Sequence, residues 1–266
     1  MPATHRRTSA GPAPTVLSPV LGLVVSLLLA LVAGTLLAAP SSAMEEPEPD
    51  PEENLFLGAP REGRCSTLSY EQAYEEESVS SATRPCRKWH TTQVVAVDIL
   101  PSSASYDDED IATTISDGCS ADLDAVHGKN ELKLRRTLYA SWIFVPTKAQ
   151  QEQGARWYRC DVSLAANQKL LRVKGSYPKV KKGAIPDRAG RCVTRKLTYT
   201  LCSKKHAWEH HGAARSPKLS KQQAKRDRQV QKFAQQTCSK KVGKRFVWAA
   251  FTSRPRTVVV VCFKKA

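Results

Sequence analysis

Gly63-Arg64-Cys65, Cys86-Arg87-Lys88-Trp89-His90, Cys119, Trp142 and Cys160 stand in that order in the first half of the chain. Gly190-Arg191-Cys192, Cys202-Ser203-Lys204-Lys205-His206, Cys238, Trp248 and Cys262 stand in the same order in the second. Each half has a Gly-Arg-Cys start, a Cys-x3-His centre, a late Trp and a closing Cys. The segments before the third cysteine agree as well. Ile111, Ile115 and Cys119 are spaced by four, and so are Val230, Ala234 and Cys238. That spacing puts each trio on one face of a helix. So many ordered marks imply two repeated units.

The pattern around these marks predicts the elements of a unit. In the first half, strand signals cover 93–100, 138–145 and 156–164. In the second they cover 246–252 and 257–263, where Val258, Val259, Val260 and Val261 form a β-branched run typical of a buried strand. Ser253-Arg254-Pro255-Arg256 between the last two reads as a hairpin turn. Asp107, Asp108, Glu109 and Asp110 precede Ile111 and suit a helix N-terminus. Ser216 and Pro217 read as cap and first turn of a second helix running through 218–236. The expected fold class is α+β: two small units, each an antiparallel sheet with one helix across it.

Units of this size bury little apolar surface and often need staples. Eight cysteines supply them, in an even number. Sequence does not choose among the many pairings, but closure of each half on itself leaves only a few. The favoured set joins first with second and third with fourth: Cys65–Cys86, Cys119–Cys160, Cys192–Cys202 and Cys238–Cys262. Cys192 and Cys202 bracket a segment short enough for one hairpin. Cys238 ends a helix that must pack on the strand carrying Cys262.

Such bridges need an oxidising compartment, and the N-terminus is built for export. Arg6 and Arg7 precede a charge-free apolar run over residues 20–39, followed by Pro40, Ser41, Ser42 and Ala43. That is the layout of a secretory signal cleaved before Met44. The run exceeds the usual signal core of about 7–15 residues, and it also suits an uncleaved helix across a bilayer core of roughly 30 Å. Either way, the two arginines keep the N-terminus inside and place residues 44–266 outside. The first cysteine, Cys65, lies too far along for a lipid anchor. Expected boundaries are 1–43 for the signal or anchor and 44–57 for an acidic, Pro-rich linker. The first unit spans 58–164, a basic linker with a flexible composition 165–189, and the second unit 190–266.

The formal charge of +16 hides two opposite halves. Residues 44–163 hold 12 Lys and Arg against 22 Asp and Glu, net −10; residues 164–266 hold 27 against 3, net +24. Lys218, Lys221, Lys225, Arg226, Arg228 and Lys232 crowd the expected second helix and cannot all face a core. Outside a cell, a cationic face of that kind meets anionic wall polymers and lipid headgroups. Nucleic acid is a poorer match, because aromatic residues do not interleave with the charges.

Catalytic motifs are missing: no Gly-rich phosphate loop, no Gly-x-Ser-x-Gly elbow, no His-Glu-x-x-His. Cys86 with His90 and Cys202 with His206 invite a zinc reading, but zinc takes about four ligands and Cys-x-x-Cys spacing is absent. No metal, cofactor or catalytic residue is assigned. The two histidines are expected to hold the loop after the second cysteine by hydrogen bonds.

The Gly-Arg-Cys start, the Cys-x3-His centre and the late Trp with its closing Cys resemble the septum-formation family of exported or membrane-anchored actinobacterial proteins. Trp89 and Lys205 stand where that family usually has Pro. Thr91-Thr92-Gln93-Val94-Val95 is similar to its strand after the histidine, and Gly154-Ala155-Arg156-Trp157-Tyr158-Arg159-Cys160 to its closing strand. Residues 58–164 carry the resemblance well and 188–263 more loosely, since Ala207-Trp208-Glu209-His210-His211 is no Val-rich strand. The resemblance implies His90, His206, Trp142 and Trp248 as motif residues and a division-linked role at the envelope. The expected function is a non-enzymatic binding or scaffold module at the wall or septum, with envelope or divisome proteins as partners. Membrane contact is expected through the N-terminal run if it is uncleaved. The alternatives are anionic-polymer binding by the second unit, or a cell-surface enzyme around His90 or His206.

Overall fold

In the computed structural model, residues 54–75, 77, 83–180 and 184–266 are described. The valine run forms an interior strand of one of two five-stranded sheets. Strand β10 (Val258–Lys265) buries Val259, Val260, Val261, Cys262 and Phe263. β-branched side chains suit such a position, where both faces are covered. It pairs antiparallel with β9 (Phe246–Thr252) on one side and β8 (Trp208–Arg215) on the other. Beyond β8 lie β6 (Arg191–Val193) and β7 (Tyr199–Leu201), giving the order β7-β6-β8-β10-β9.

The first half is built alike. Strands β1 (Cys65–Ser66), β2 (Thr92–Ile99), β4 (Trp157–Ala166) and β3 (Tyr139–Phe144) follow one another across the sheet, and β5 (Lys169–Leu170) pairs with β4. Helix α1 (Ile111–His127) connects β2 to β3, as helix α4 (Gln223–Val242) connects β8 to β9. Apart from the added β5 and β7, strand order and helix position agree between the halves. Two short helices, α2 (Glu131–Leu134) and α3 (Lys148–Glu152), belong to the first half. The bonded cysteine pairs are Cys65–Cys86, Cys119–Cys160, Cys192–Cys202 and Cys238–Cys262. Each half therefore closes first with second and third with fourth.

Ile115, Cys119 and Leu123 of α1 are buried against the sheet, with Leu100, Tyr158, Cys160 and Val162. Ile111, on the same helix face, is only half-buried, because it sits in the first turn at the edge of the contact. On α4, Ala234 and Cys238 are buried and Val230 is half-buried.

The second helix starts later than its Ser216-Pro217 signal suggests. Ser216 belongs to an extended strap: its N–H donates to the Val258 carbonyl at 2.8 Å, and its Oγ accepts from the Val258 N–H at 3.1 Å. A residue before proline is pushed out of the α region, and Leu219 of the strap is buried. Both hold 216–222 against the sheet until Gln222 caps α4.

The 165–189 segment, expected as a flexible connection, packs on the first half where it is described. Val173 pairs with His90 in an isolated antiparallel bridge, and Tyr177 is buried with its hydroxyl donating to the Thr91 carbonyl at 2.5 Å. The lysine-rich composition hid these two apolar anchors. The Tyr177 hydroxyl is held above its ordinary pKa by burial.

The halves meet along a hydrogen-bonded seam. The Leu138 N–H donates to the Ala189 carbonyl, and the Arg191 N–H to the Arg136 carbonyl. Asn167 exchanges two bonds with the Tyr199 backbone. Glu131 of α2 pairs with Arg215 and accepts from Ser253 Oγ. Leu132 packs on Val193, Val259, Val261 and Phe263. The Arg191 guanidinium lies 4.7 Å from the Tyr199 ring centroid and 4.5 Å from that of Phe251, and burial pushes its pKa down to about 10.

The apolar run at 20–39 and the acidic stretch at 44–53 lie outside the described residues. Among those described, no helix is long and apolar enough to cross a membrane.

Candidate functional site

The two Cys-x3-His centres form the same local turn. His90 Nδ1 lies 2.8 Å from the Lys88 carbonyl, and His206 Nδ1 lies 2.7 Å from the Lys204 carbonyl. A carbonyl only accepts, so each Nδ1 carries the hydrogen. Both histidines thus fix the loop after the second cysteine. Their surroundings differ. His90 is fully buried beside Tyr177, with ring centroids 5.7 Å apart, whereas His206 is half-exposed. Burial, with Arg84 nearby, holds the His90 pKa below its ordinary value despite the Lys88 hydrogen bond.

One metal-like cluster is found among the described residues. Atoms of Cys65, Cys86 and His90 lie within 4.8 Å of one another. The two sulfurs are bonded to each other. The trio therefore offers a metal one nitrogen, short of the roughly four ligands zinc takes.

The two starting glycines serve different needs. Gly63 has φ of +72°, which favours glycine. At Gly190 a Cβ would stand 2.9 Å from Cys202 Sγ and 3.0 Å from His210 Nε2, so the Cys192–Cys202 bridge and His210 pack directly on its backbone. Arg136 donates to His210 Nδ1 at 3.0 Å. Burial first, then Arg136, pushes the His210 pKa down to about 4.

Below pH 6.5 an unfolded chain takes up a proton at this position that the folded chain refuses. Stability is therefore expected to fall as pH drops from about 6.5 to about 4, with His90 acting in the same direction. Besides Arg136, Asp187 and His211 act on the His210 ring. His210→Asn should flatten the slope of urea midpoints over this range; an unchanged slope would mean that His210 is not the group responsible.

The two late tryptophans are not equivalent. Trp142 pairs across the strands with Asp161, and Trp248 with Cys262. Cys160 and Cys262 bond to the helices, so Trp248 lies on the helix face and Trp142 on the opposite one. A register offset of one residue reverses the face. The strand-pair equivalent of Trp248 is Ile143, which pairs with Cys160.

On its face Trp142 donates from Nε1 to Ser163 Oγ at 2.6 Å. It packs edge-on to Tyr70 and Tyr74, with centroids 5.9 and 5.1 Å away. These rings, with Glu75, Arg135 and Arg191, line an open groove of about 590 Å³ along β3, the terminal strand of its sheet. Tyr74 is 65 % exposed.

The same face holds a pair the sequence did not single out. Arg159 Nε lies 3.1 Å from Asp161 Oδ1, and both residues are buried. The Arg159 Cζ sits 4.1 Å from the Phe144 ring centroid. Burial pushes the Asp161 carboxyl pKa up, while Arg159 and Thr92 pull it back. Alternating charges on a strand read as a solvated face. Here the segment carrying Leu57 lies against the same face: the Leu57 carbonyl accepts from Trp157 Nε1 at 2.8 Å.

The expected cationic residues divide between strap and helix. Lys218 and Lys221 lie on the strap; Lys225, Arg226, Arg228 and Lys232 lie on α4. All are exposed except Arg226, which folds back to donate to the Ser220 and Lys221 carbonyls. That is a correction: Arg226 secures the strap and is not a free surface charge. Helix α4 carries six Lys and Arg against one Asp, while α1 carries three Asp and no Lys or Arg. Equivalent positions on the two sheets thus present opposite charge.

The fold and its bridges define a disulfide-stapled α+β protein with two like sheets and oppositely charged helices. A family model described as Septum formation matches residues 62–262, and the chain belongs to that family. The match runs through both halves as one span. No curated protein matches, and no solved structure matches.

Proposed function

We propose that the protein is a non-enzymatic module of the cell envelope that acts in septum formation by binding, outside the membrane. Four bridges and no free cysteine suit an oxidising compartment. Full burial of His90 and the structural hydrogen bonds of His90 and His206 speak for a positioning role at the family motif. The observation that carries the binding mode is the exposed cationic surface of strap and α4: Lys218, Lys221, Lys225, Arg228 and Lys232. Its ligand in this reading is an anionic polymer with regularly spaced phosphates, such as teichoic acid. Envelope or divisome proteins are partners of the same module, and an uncleaved N-terminal run adds membrane contact.

The test uses the full chain, because the seam ties the halves together. Retention on immobilised teichoic acid should weaken steeply between low and physiological salt, as released counterions cease to drive binding. Lys221→Gln, Lys225→Gln and Arg228→Gln combined should weaken it by about tenfold at low salt without lowering thermal stability. Retention indifferent to salt and to these changes would leave the lysines a role in solubility alone. A fluorescent fusion should gather at the septum of dividing cells; uniform distribution would sink the septal part of the reading.

A further inference from the structure

We infer that the Cys65–Cys86 bridge is a thiol–disulfide exchange site, opened by an external dithiol and assisted by His90. Three observations single it out. Cys86 is the one half-exposed cysteine; the other seven are buried. A thiolate must reach a sulfur to attack it, so access favours this bridge over the other three. Next to it stands His90, with a ring nitrogen and both sulfurs within 4.8 Å. Nδ1 is committed to the Lys88 carbonyl, and buried Nε2 has no hydrogen-bond partner among the described residues. A buried nitrogen left with an open lone pair calls for a role. Finally, Cys86 Sγ lies 3.1 Å from the Gly63 carbonyl oxygen.

A disulfide has no proton to give, so the imidazole lone pair and the Gly63 carbonyl gain no hydrogen bond while the bridge is closed. Once it opens, the new Cys86 thiol finds an acceptor in place at Gly63, and a ring nitrogen of His90 stands within 4.8 Å of Cys65 Sγ, close enough to receive its proton after a small side-chain shift. The surroundings thus favour the dithiol form more than those of an ordinary structural bridge do.

The steps balance. A thiolate of the dithiol attacks Cys86 Sγ, the S–S bond breaks, and Cys65 leaves as thiolate. The proton lost by the attacking thiol reaches Cys65 by way of the His90 lone pair. The second thiol of the reductant then attacks its own sulfur in the mixed disulfide. That releases Cys86, which takes the second proton, and the reductant leaves as a disulfide. Two electrons and two protons have moved to the protein.

The second half supplies an internal comparison. Cys192 and Cys202 are both buried. His210 packs near Cys202, but its Nδ1 accepts from Arg136, so its Nε2 carries the hydrogen and offers no lone pair. His206 forms no such cluster with its bridge among the described residues. Opening Cys65–Cys86 would also release the loop carrying Tyr70, Tyr74 and Glu75, one wall of the groove along β3. Reduction would therefore alter that surface.

The experiment is limited reduction of the full-length oxidised protein by dithiothreitol, with timed alkylation and mass mapping of each bridge. Cys65–Cys86 is expected to open at least about tenfold faster than the other three, in keeping with its access and acceptors. His90→Asn keeps a donor for the Lys88 carbonyl and removes the basic nitrogen. It should slow that opening by about tenfold while the other bridges and the circular dichroism spectrum stay unchanged; His206→Asn should have no effect on it. Another bridge opening first in wild type would overturn the proposal even if the His90 variant failed to fold. An unslowed, folded His90→Asn would overturn the role of His90.

Discussion

Replacing Arg159 by methionine is expected to destabilise the fold by about 3–5 kcal/mol, the range for breaking one partner out of a buried pair. Asp161 would then be left in a site where both residues were buried, with Thr92 as its remaining favourable contact. The carboxyl would escape part of the cost by taking a proton, since burial already favours its neutral form. The second half shows how such a position is filled without charge. Cys262 occupies the place of Cys160, and its neighbours Val261 and Phe263 stand where the first half has Arg159 and Asp161. Arg159→Met with Asp161→Leu should therefore recover most of the loss, because an apolar pair of similar volume often replaces a buried ion pair at little cost. Urea unfolding with the bridges intact measures both. A single variant within about 0.5 kcal/mol of wild type would mean the pair is solvated after all.

Ile115→Asp is expected to be at least as damaging. Ile115 is 2 % exposed and packs with Cys119, Leu123 and Tyr158 between α1 and the sheet. Removing the side chain's apolar contacts alone costs about 2–5 kcal/mol. A charged replacement adds the desolvation of a carboxylate with no partner, unless it is protonated. Stability of small domains is about 5–15 kcal/mol, so this variant should be largely unfolded on warming, held together by its bridges. Ile115→Val should cost about 1 kcal/mol, and Ile111→Asp less than Ile115→Asp because Ile111 is half-buried. Thermal unfolding of Ile115→Asp that matched wild type would refute the packing of α1.

These outcomes rest on parts of the fold that the residues disclosed to different degrees. The helix trios and the valine run were legible because a buried face imposes a period, and the period survives in sequence. Pairing within each half followed from locality: a hairpin and a helix-to-strand contact bring those cysteines together first. Strand β8 was not legible. Its Trp208, Glu209, His210, His211, Gly212, Ala213, Ala214 and Arg215 include no β-branched residue. It is a strand because β10 needs a neighbour on that side, and it pairs with seven residues of β10. The strap was misread for a related reason: Ser216 satisfies a backbone bond of β10 in place of capping a helix. Trp142 and Trp248 match in order but not in register, and one residue of offset is invisible until strands are paired. The Arg159–Asp161 pair could be seen as an alternation, but nothing local says that the face is covered.

The bridges also set how the chain answers a pull. Cys119 and Cys160 enclose a sequence separation of 41 residues while their Cα atoms stay 5.7 Å apart. At ~3.5 Å per extended residue, that one loop withholds roughly 140 Å of contour from any force applied at the ends. Since Cys119 lies within α1, tension can unwind the helix only as far as that residue before it meets a covalent stop. The other three loops behave likewise. A chain drawn between two anchoring points would stiffen abruptly at a reach fixed by covalent chemistry, and that reach would lengthen only where a bridge had first been opened.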